Sequence, residues 1–374
     1  MVYREFCGLK LSALGLGTMR FPTLDGDDSK IDEAKVEEMF AYAIENGINY
    51  FDTAYGYHRG ESERVVGKML SKYPRKSFYL ATKFPGYDAE NFKDVKGLFE
   101  RQLEKCRVDY FDFYLVHTVS ENNIDDYLDP KNGLYDFLVE EKKNGRIKHI
   151  GFSVHATLDT TKRFLNVFGD IIEFCQVQLN WIDYDYQKAS DKLALLAERN
   201  IPVWVMEPLR GGKLAKLDGK HEERLRAMRP EAGIPEWSFR YLQSFPQVVV
   251  TLSGMSNMEQ LVDNIKTFES EKPLTDKEIN ELYDIARNML ETVPCTECRY
   301  CTEKCPMMLD IPKLIKSYNS FCFNGSVSRA TKALEEFAEE KRPSACIACR
   351  ACEQVCPQAI KISEVFADFS ERLK

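Results

Sequence analysis

An eightfold alternation of short β-rich runs and helical stretches, from residue 1 to about 290, constrains the fold of this 374-residue chain most strongly. Strands are predicted at Leu14–Met19, Ile48–Thr53, Phe78–Lys83, Phe111–His117, Lys148–Val154, Glu173–Asn180, Val203–Glu207 and Val248–Ser253. Helices are predicted between them at Glu33–Asn46, Glu61–Lys72, Asn91–Lys105, Tyr135–Asn144, Leu158–Phe168, Lys188–Arg199 and Ile234–Phe245. A last helix, Met258–Phe268, has apolar residues at helical spacing. Eight strand–helix units of this size predict an α/β fold, a (β/α)8 TIM barrel.

A doubly wound parallel sheet is the competing arrangement. It would need a Gly-rich dinucleotide turn after its first strand, and Gly15-Leu16-Gly17-Thr18-Met19-Arg20 lacks the third glycine. The barrel is therefore favoured. Ahead of it, Tyr3–Leu11 predicts a hairpin that turns at Cys7-Gly8 and closes the barrel bottom. After it, Asp276–Leu290 predicts a connecting helix that begins with the capping-box spacing Thr275-Asp276-Lys277-Glu278.

Four polar residues, Asp52, Tyr57, Lys83 and His117, lie at the C-terminal ends of three consecutive predicted strands. The strand C-termini form the face of a barrel where chemistry takes place. Reduction of a carbonyl group needs a proton donor, and a tyrosine, with a usual pKa of about 10, becomes an effective acid beside a cation. Lys83 would supply that cation, Asp52 would orient it, and His117 would hydrogen-bond the carbonyl oxygen. Tyr55 is a second candidate phenol that spacing alone does not exclude.

Each of these residues taken singly has an ordinary structural interpretation, such as a solvated lysine at a strand end or a core histidine. Their order, however, resembles the aldo-keto reductase superfamily, in which an Asp is followed by a Tyr five residues later, then a Lys and a His. The segment Glu61-Ser62-Glu63-Arg64-Val65-Val66-Gly67 and the strand Leu14-Gly15-Leu16-Gly17-Thr18 also resemble that family. The resemblance covers residues 1–290 and implies an NAD(P)-dependent enzyme. It would reduce an aldehyde or ketone, or oxidise an alcohol, with Tyr57 as general acid/base.

The resemblance also implies a nicotinamide site. Ser153 would contact the carboxamide, and Gln176 matches the family glutamine. The asparagine usual after the serine is Val154 here, and the stacking tyrosine is Met206, whose thioether can still pack against a ring. The other residues assigned to the cofactor are Gly17, Thr18, Pro208, Leu209, Gly211, Gly212, Gly254, Met255, Gln260 and Asn264.

Two segments are candidates for binding the phosphate groups of the cofactor. Pro208–Lys213 suits a loop over a pyrophosphate, and Gly254–Glu259 opens a helix whose N-terminus favours anions. NADP-preferring relatives hold the 2′-phosphate there with a lysine and an arginine, whereas these positions are Gly254 and Gln260. We therefore expect weak discrimination between NADPH and NADH, or use of NADH.

A duplicated cysteine motif dominates the C-terminal part. The first copy is Cys295, Cys298, Cys301 and Cys305, and the second is Cys346, Cys349, Cys352 and Cys356, each followed by proline. This is the spacing of bacterial ferredoxins, in which the fourth cysteine ligates the other cluster. We therefore assign Cys295, Cys298, Cys301 and Cys356 to one 4Fe-4S cluster and Cys346, Cys349, Cys352 and Cys305 to a second. Zinc is disfavoured, because zinc sites usually combine two separated pairs.

These features predict three regions: a barrel over 1–272, a connecting helix over 273–293, and a mainly helical ferredoxin-like domain over 294–374. Helical stretches at Pro312–Tyr318 and Val327–Glu340 separate the two motifs. The net charge of −8 argues against nucleic acid as a partner. Without a membrane-spanning run or a signal-peptide pattern, a cytoplasmic protein is expected. The other cysteines, Cys7, Cys106, Cys175 and Cys322, are expected to be buried apolar residues.

Three functions remain open on the sequence. The first is a carbonyl reductase acting on a small carbonyl or alcohol substrate, with structural, regulatory or partner-docking clusters. The second is an electron-transfer enzyme, with a ferredoxin- or flavin-type redox partner or a bound flavin for which no motif is readable. The third is a non-catalytic electron-relay or interaction scaffold. The first is favoured, and the third is the least favoured because all four catalytic residue types are present.

Overall fold

The computed structural model describes residues 1–290, 293–295 and 297–374, and the contacts divide the chain into two units, Met1–Ile279 and Asn280–Lys374. The strands are β1 Tyr3–Phe6, β2 Leu9–Ser12, β3 Leu14–Gly17, β4 Tyr50–Asp52, β5 Tyr79–Phe84, β6 Phe111–Val119, β7 Ile147–Val154, β8 Phe174–Gln178, β9 Val203–Met206 and β10 Val248–Ser253. The helices of the first unit are α1 Glu33–Glu45, α2 Ser62–Leu70, α3 Val95–Cys106, α4 Ile124–Leu128, α5 Leu134–Lys143, α6 Leu158–Phe168, α7 Asp183–Tyr186, α8 Ala189–Glu198, α9 Gly219–Met228, α10 Ile234–Gln243 and α11 Met258–Thr267. Helix α12, Asp276–Leu290, contains the division between the units, and the second unit continues with α13 Tyr300–Glu303, α14 Ile311–Asn324, α15 Val327–Leu334, α16 Ala351–Gln354 and α17 Ile362–Arg372.

Strands β3 to β10 form a closed parallel barrel in the order β10-β3-β4-β5-β6-β7-β8-β9, which confirms the predicted fold. The register places Leu16 beside Phe51 and Phe51 beside Leu80, so that the first three strands end at a common level. Pairing of Thr251 in β10 with Leu14 in β3 closes the ring. The C-terminal ends of consecutive strands are thereby brought to one face, where the loops that follow them meet.

The N-terminal hairpin β1–β2 closes the opposite end, as predicted. Phe6 and Leu11 are buried against aromatic residues of the barrel interior, among them Phe113 and Trp204. The hairpin turns at Cys7 and Gly8, whose φ angles are 49° and 79°. Cys7 is exposed, so the expectation that it is a buried apolar residue is wrong, because the tip of a two-residue turn projects away from the strands.

Two helices show where local sequence signals succeed and fail. The capping box of α12 forms as predicted: Thr275 N donates to Glu278 Oε2 at 2.8 Å, and Glu278 N donates to Thr275 Oγ1 at 3.4 Å. Helix α9 instead lies within Leu214–Ile234, a segment without predicted structure. Leu225 is its one buried residue among ten, so its helical periodicity is too weak to read from the sequence.

The second unit is helical and has its own apolar core. The buried residues of α14, α15 and α17 pack with the segments around the cysteine motifs, and they include Leu314, Ile315, Leu334, Phe366 and Phe369. Helix α14 begins at the cap Asp310 and ends before Gly325, which has a left-handed φ of 67°. Within the described residues of both units, every helix is too short or too polar to cross a bilayer.

Candidate active site

Three strand ends bring a charged pair and two rings together at the C-terminal face of the barrel. Lys83 Nζ in β5 donates to Asp52 Oδ1 at the end of β4 at 2.6 Å, and to Thr53 O at 2.7 Å. The same ammonium lies 5.1 Å from the ring centroid of Tyr57. The rings of Tyr57 and His117 are 6.1 Å apart and nearly perpendicular. The structure thus gathers all four residues that the sequence proposed as catalytic.

Tyr57 is positioned by a strained turn. The next two residues, His58 and Arg59, have left-handed φ angles of 52° and 54°. Buried His58 accepts a hydrogen bond from Phe21 N at 3.2 Å through Nε2, and its Nδ1 lies 2.9 Å from Asp28 O. Left-handed residues other than glycine persist only where their surroundings hold them, and they concentrate at functional sites.

Burial governs the protonation of the site. It raises the pKa of Asp52, an effect that Lys83 opposes. Burial alone would lower the pKa of Lys83, but Asp52 and Tyr57 together raise it above its usual value, so the lysine stays charged. Burial raises the pKa of Tyr57 although Lys83 lowers it, and the phenol is therefore protonated at neutral pH. Burial, followed by Lys83, holds the pKa of His117 well below its usual value, so the imidazole is neutral.

A buried polar network holds the backbone at Lys83. Glu63 Oε1 in α2 accepts hydrogen bonds from Thr82 Oγ1 and Gln102 Nε2, each at 2.7 Å. Gln102 Nε2 also lies 3.1 Å from Lys83 O, and Tyr114 OH donates to Gln102 Oε1 at 2.7 Å. The network involves side chains from two helices and two strands, so it fixes the strand end from which the lysine projects.

A cavity of about 290 Å³ opens beside the tetrad. Asp52 and Tyr57 line it, together with eleven of the thirteen residues assigned to a cofactor: Gly17, Thr18, Gln176, Met206, Pro208, Leu209, Gly211, Gly212, Gly254, Gln260 and Asn264. The other two, Ser153 and Met255, have exposed fractions of 1% and 2%. Ser153 Oγ accepts a hydrogen bond from Thr118 N at 2.7 Å. Most of the residues assigned to a cofactor therefore share one cavity, and their individual roles remain predictions.

Arg20 and Tyr87 are among the residues of this site that sequence reasoning missed. Arg20, just after β3, lines the cavity, its aliphatic carbons lie near Gly254, and its guanidinium is 3.9 Å from Glu207. The ring of half-exposed Tyr87 lies 5.5 Å from that of His117. Both follow strand ends, which is the signal that could have identified them, but their residue types are common in loops.

The helix N-terminus proposed as an anion site already uses two of its backbone donors internally. Asn257 Oδ1 accepts from Gln260 N at 2.9 Å, and Gln260 Oε1 accepts from Ser256 N at 2.8 Å. The charged residues of the cavity lining are Arg20, Asp52, Glu207 and Asp263, which are one cation and three carboxyl groups. The lining therefore has little positive charge with which to compensate the 2′-phosphate that distinguishes NADPH from NADH.

Cysteines assigned to the same cluster lie close together in the second unit. Cys295, Cys298, Cys301 and Cys356 line one cavity together with apolar residues including Ile315 and Ile360. Burial raises the pKa of Cys352 to about 11, and neighbouring Cys346 and Cys305 act in the same direction. Such convergent thiol sets fit 4Fe-4S clusters. All twelve cysteines lie in the described part of the chain and are free of disulfides.

Comparison with known proteins agrees with this division. The model of the aldo/keto reductase family matches residues 13–287, and that of a 4Fe-4S dicluster domain matches residues 294–360. The uncharacterized oxidoreductase YqkF of Bacillus subtilis is 27% identical over 305 residues, 73% of this chain and 92% of that protein. The NADH-specific methylglyoxal reductase of Escherichia coli is 25% identical over 303 residues, 69% of this chain and 90% of that protein. Among solved structures, the holo form of aldo-keto reductase AKR11C1 from Bacillus halodurans is 25% identical with a TM-score of 0.61, covering 76% of this chain and 96% of that one.

Proposed function

Because the chain belongs to the aldo/keto reductase family and continues into a 4Fe-4S dicluster domain, we propose that it reduces small aldehydes or ketones with NADH. The observation that carries the proposal is the buried Asp52–Lys83 pair, 2.6 Å apart, beside the ring of Tyr57 in an open cavity. The reverse oxidation of an alcohol would use the same residues.

The four residues of the tetrad would control the transfer of a proton to the substrate oxygen. A reduced nicotinamide, when bound, supplies a hydride for the carbonyl carbon. Tyr57 donates its phenolic proton to the carbonyl oxygen, where negative charge develops, and Lys83 stabilises the phenolate that remains. Asp52 keeps Lys83 charged and directed, and neutral His117 donates a hydrogen bond to the same oxygen. His117 has an Nδ1 atom that is buried and without a partner among the described residues, which is consistent with a role in binding.

The preference for NADH is supported by the charges of the cavity. Gln260, at a position where NADP-preferring relatives hold the 2′-phosphate with a cation, is engaged in capping its own helix. Asp263 in the same cavity lining adds a carboxyl group rather than a cation. Arg20, the one cation among the described residues that line the cavity, would pair with the pyrophosphate that both cofactors share. The related Escherichia coli protein named for NADH specificity is consistent with this preference.

A matched pair of tyrosine variants tests the chemistry. Carbonyl-dependent oxidation of NADH would be followed anaerobically in the full chain with its clusters loaded, using a panel of small aldehydes and ketones. Tyr57→Phe is expected to lower kcat by about 10²- to 10⁴-fold, the usual contribution of a positioned general acid. Tyr55→Phe is the control, because it removes the other candidate phenol, whose ring centroid lies 4.5 Å from Lys105 Nζ. Equal activity in Tyr57→Phe and the unmodified protein would refute the mechanism, and faster turnover with NADPH would refute the cofactor preference.

A second function, electron transfer through the clusters, is favoured by the surface of the second unit. Tyr300, Met308 and Ile347 are exposed by 60%, 72% and 60%, and each lies within three residues of an assigned cluster cysteine. Such apolar surface suits a redox partner protein. A bound 4Fe-4S cluster exchanges one electron, whereas hydride transfer moves two. Anaerobic addition of NADH without a carbonyl compound distinguishes the two functions: bleaching of the visible iron–sulfur absorbance supports electron transfer, and an unchanged spectrum supports the reductase alone.

A further inference from the structure

A mixed group of ligand-type side chains lies at the bottom of the barrel, at the end opposite the tetrad. Cys7 at the hairpin tip, His149 in β7 and Glu173 just before β8 each offer a ligand atom, and the three atoms lie within 4.8 Å of one another. They come from three separate segments of the chain. A thiol, an imidazole and a carboxylate form a donor set typical of zinc.

We propose that Cys7, His149 and Glu173 bind a zinc ion that fastens the N-terminal hairpin to the barrel. Nδ1 of His149 and Oε1 of Glu173 are 3.0 Å apart. Two tetrahedral ligands with bonds of about 2.0 to 2.2 Å to zinc are roughly 3.4 Å apart, so a metal between them needs only a small displacement. The zinc would replace the proton that the imidazole and the carboxylate share.

The surrounding contacts orient two of the ligands. Oε2 of Glu173 accepts from Ile150 N at 3.0 Å and also from Lys142, which leaves Oε1 for the metal. The imidazole of His149 is stacked on Phe113, with ring centroids 5.2 Å apart, and meets the ring of Phe6 at 5.0 Å. Such outer contacts fix ligand orientation in established metal sites.

Turn geometry does not account for the cysteine. A two-residue hairpin turn with positive φ at both positions favours Asn-Gly or Asp-Gly. Cys7 occupies the first of these positions with a φ of 49°. Cys7 and Glu173 also line an open groove of about 640 Å³ together with Glu198 and Arg199, from which water would provide the fourth ligand. The site is therefore accessible to metal from solvent.

The test uses the full chain with both clusters loaded, exposed anaerobically to zinc chloride and freed of excess metal by a mild chelator. Elemental analysis and zinc-edge X-ray absorption would measure the metal, because the zinc edge is separate from that of iron. One zinc per chain is expected, with one sulfur and otherwise nitrogen and oxygen neighbours. Absence of bound zinc would overturn the proposal, and four sulfur neighbours would do so too, because zinc would then occupy cluster cysteines.

Two cysteine variants separate ligation from folding. Cys7→Asn retains a residue suited to the left-handed turn but removes the sulfur, and it should lose the zinc while keeping its carbonyl reduction and tryptophan fluorescence. Cys322→Ser removes another cysteine that belongs to neither motif and should retain the zinc. Retention of zinc by Cys7→Asn, or its equal loss from both variants, would contradict the site.

Discussion

The buried pair Asp52–Lys83 gives a sharp stability prediction. Their side chains have exposed fractions of 4% and 1%, and the charged atoms are 2.6 Å apart. Removing one partner of such a pair leaves an uncompensated charge and typically costs about 3–5 kcal/mol, whereas replacing both with apolar residues of similar volume is close to neutral. We therefore expect Lys83→Met to lower the free energy of unfolding of the barrel by about 3–5 kcal/mol. Asp52→Val combined with Lys83→Met, which replaces both charges with apolar side chains, should recover most of that loss without recovering catalysis.

The tryptophans make this measurable in the intact chain. The protein has three, Trp181, Trp204 and Trp237, and all are buried in the first unit. Urea unfolding followed by tryptophan fluorescence therefore reports on the barrel separately from the cluster-binding unit. With a urea dependence of about 3 kcal/mol per molar, the single variant should unfold about 1–1.7 M earlier.

The double variant distinguishes two explanations of the expected loss of stability. If both charges are structural supports only, each substitution adds its own cost, and the double variant is the least stable. If the two charges instead compensate each other, the double variant has a higher free energy of unfolding than either single variant and is still inactive. Recovery of activity together with stability would refute the role given to Lys83, because the phenol would then not need the cation.

Two further predictions concern other parts of the chain. Hydrogen bonds from Arg229 lower the pKa of Glu278 to about 2 from 4.5, so the stability gained from this carboxylate is present above pH 4.5 and lost as the pH falls towards 2. Glu278→Gln should therefore lower the free energy of unfolding, measured by urea unfolding, by about 1–3 kcal/mol at neutral pH. This loss should become smaller as the pH falls towards 2. A loss that does not depend on pH would contradict the prediction. In the second unit, Cys298→Ser and Cys356→Ser should each remove about half of the iron, and the double variant should lose no more, because both cysteines are assigned to one cluster. Additive losses on elemental analysis would instead place them in different clusters.

The sequence predicted the barrel well because its signals are local and repeated. Each strand is a short run rich in Val, Ile, Leu and aromatic residues, and the eight parallel strands of the structure overlap the predicted ones throughout. The capping box at Thr275 needs residues only three positions apart. Helix α9 was missed because its residues are polar on nearly every side, and the tendency of its backbone to form a helix is not visible as a hydrophobic period.

Long-range contacts were less predictable. The four tetrad residues could be proposed because they follow consecutive strands, whereas Arg20 and Tyr87 belong to the site through loop conformations that no spacing encodes. The same holds for Cys7, which was expected to be buried and is exposed next to His149. These two residues are 142 positions apart in the sequence, and only the closure of the barrel by the hairpin brings them together.

The energetics of the tetrad also bear on whether the barrel is merely a scaffold. A buried ion pair is weak support for stability, since apolar residues of similar volume usually serve as well or better. In the barrel, Asp52 and Lys83 are nevertheless almost inaccessible to solvent. Gln102, which is hydrogen-bonded to Glu63, also donates to the backbone carbonyl of Lys83. Packing gives no reason for this arrangement, whereas a tyrosine that must donate a proton and then carry negative charge does. The non-catalytic interpretation leaves this arrangement unexplained, and the reductase interpretation requires it.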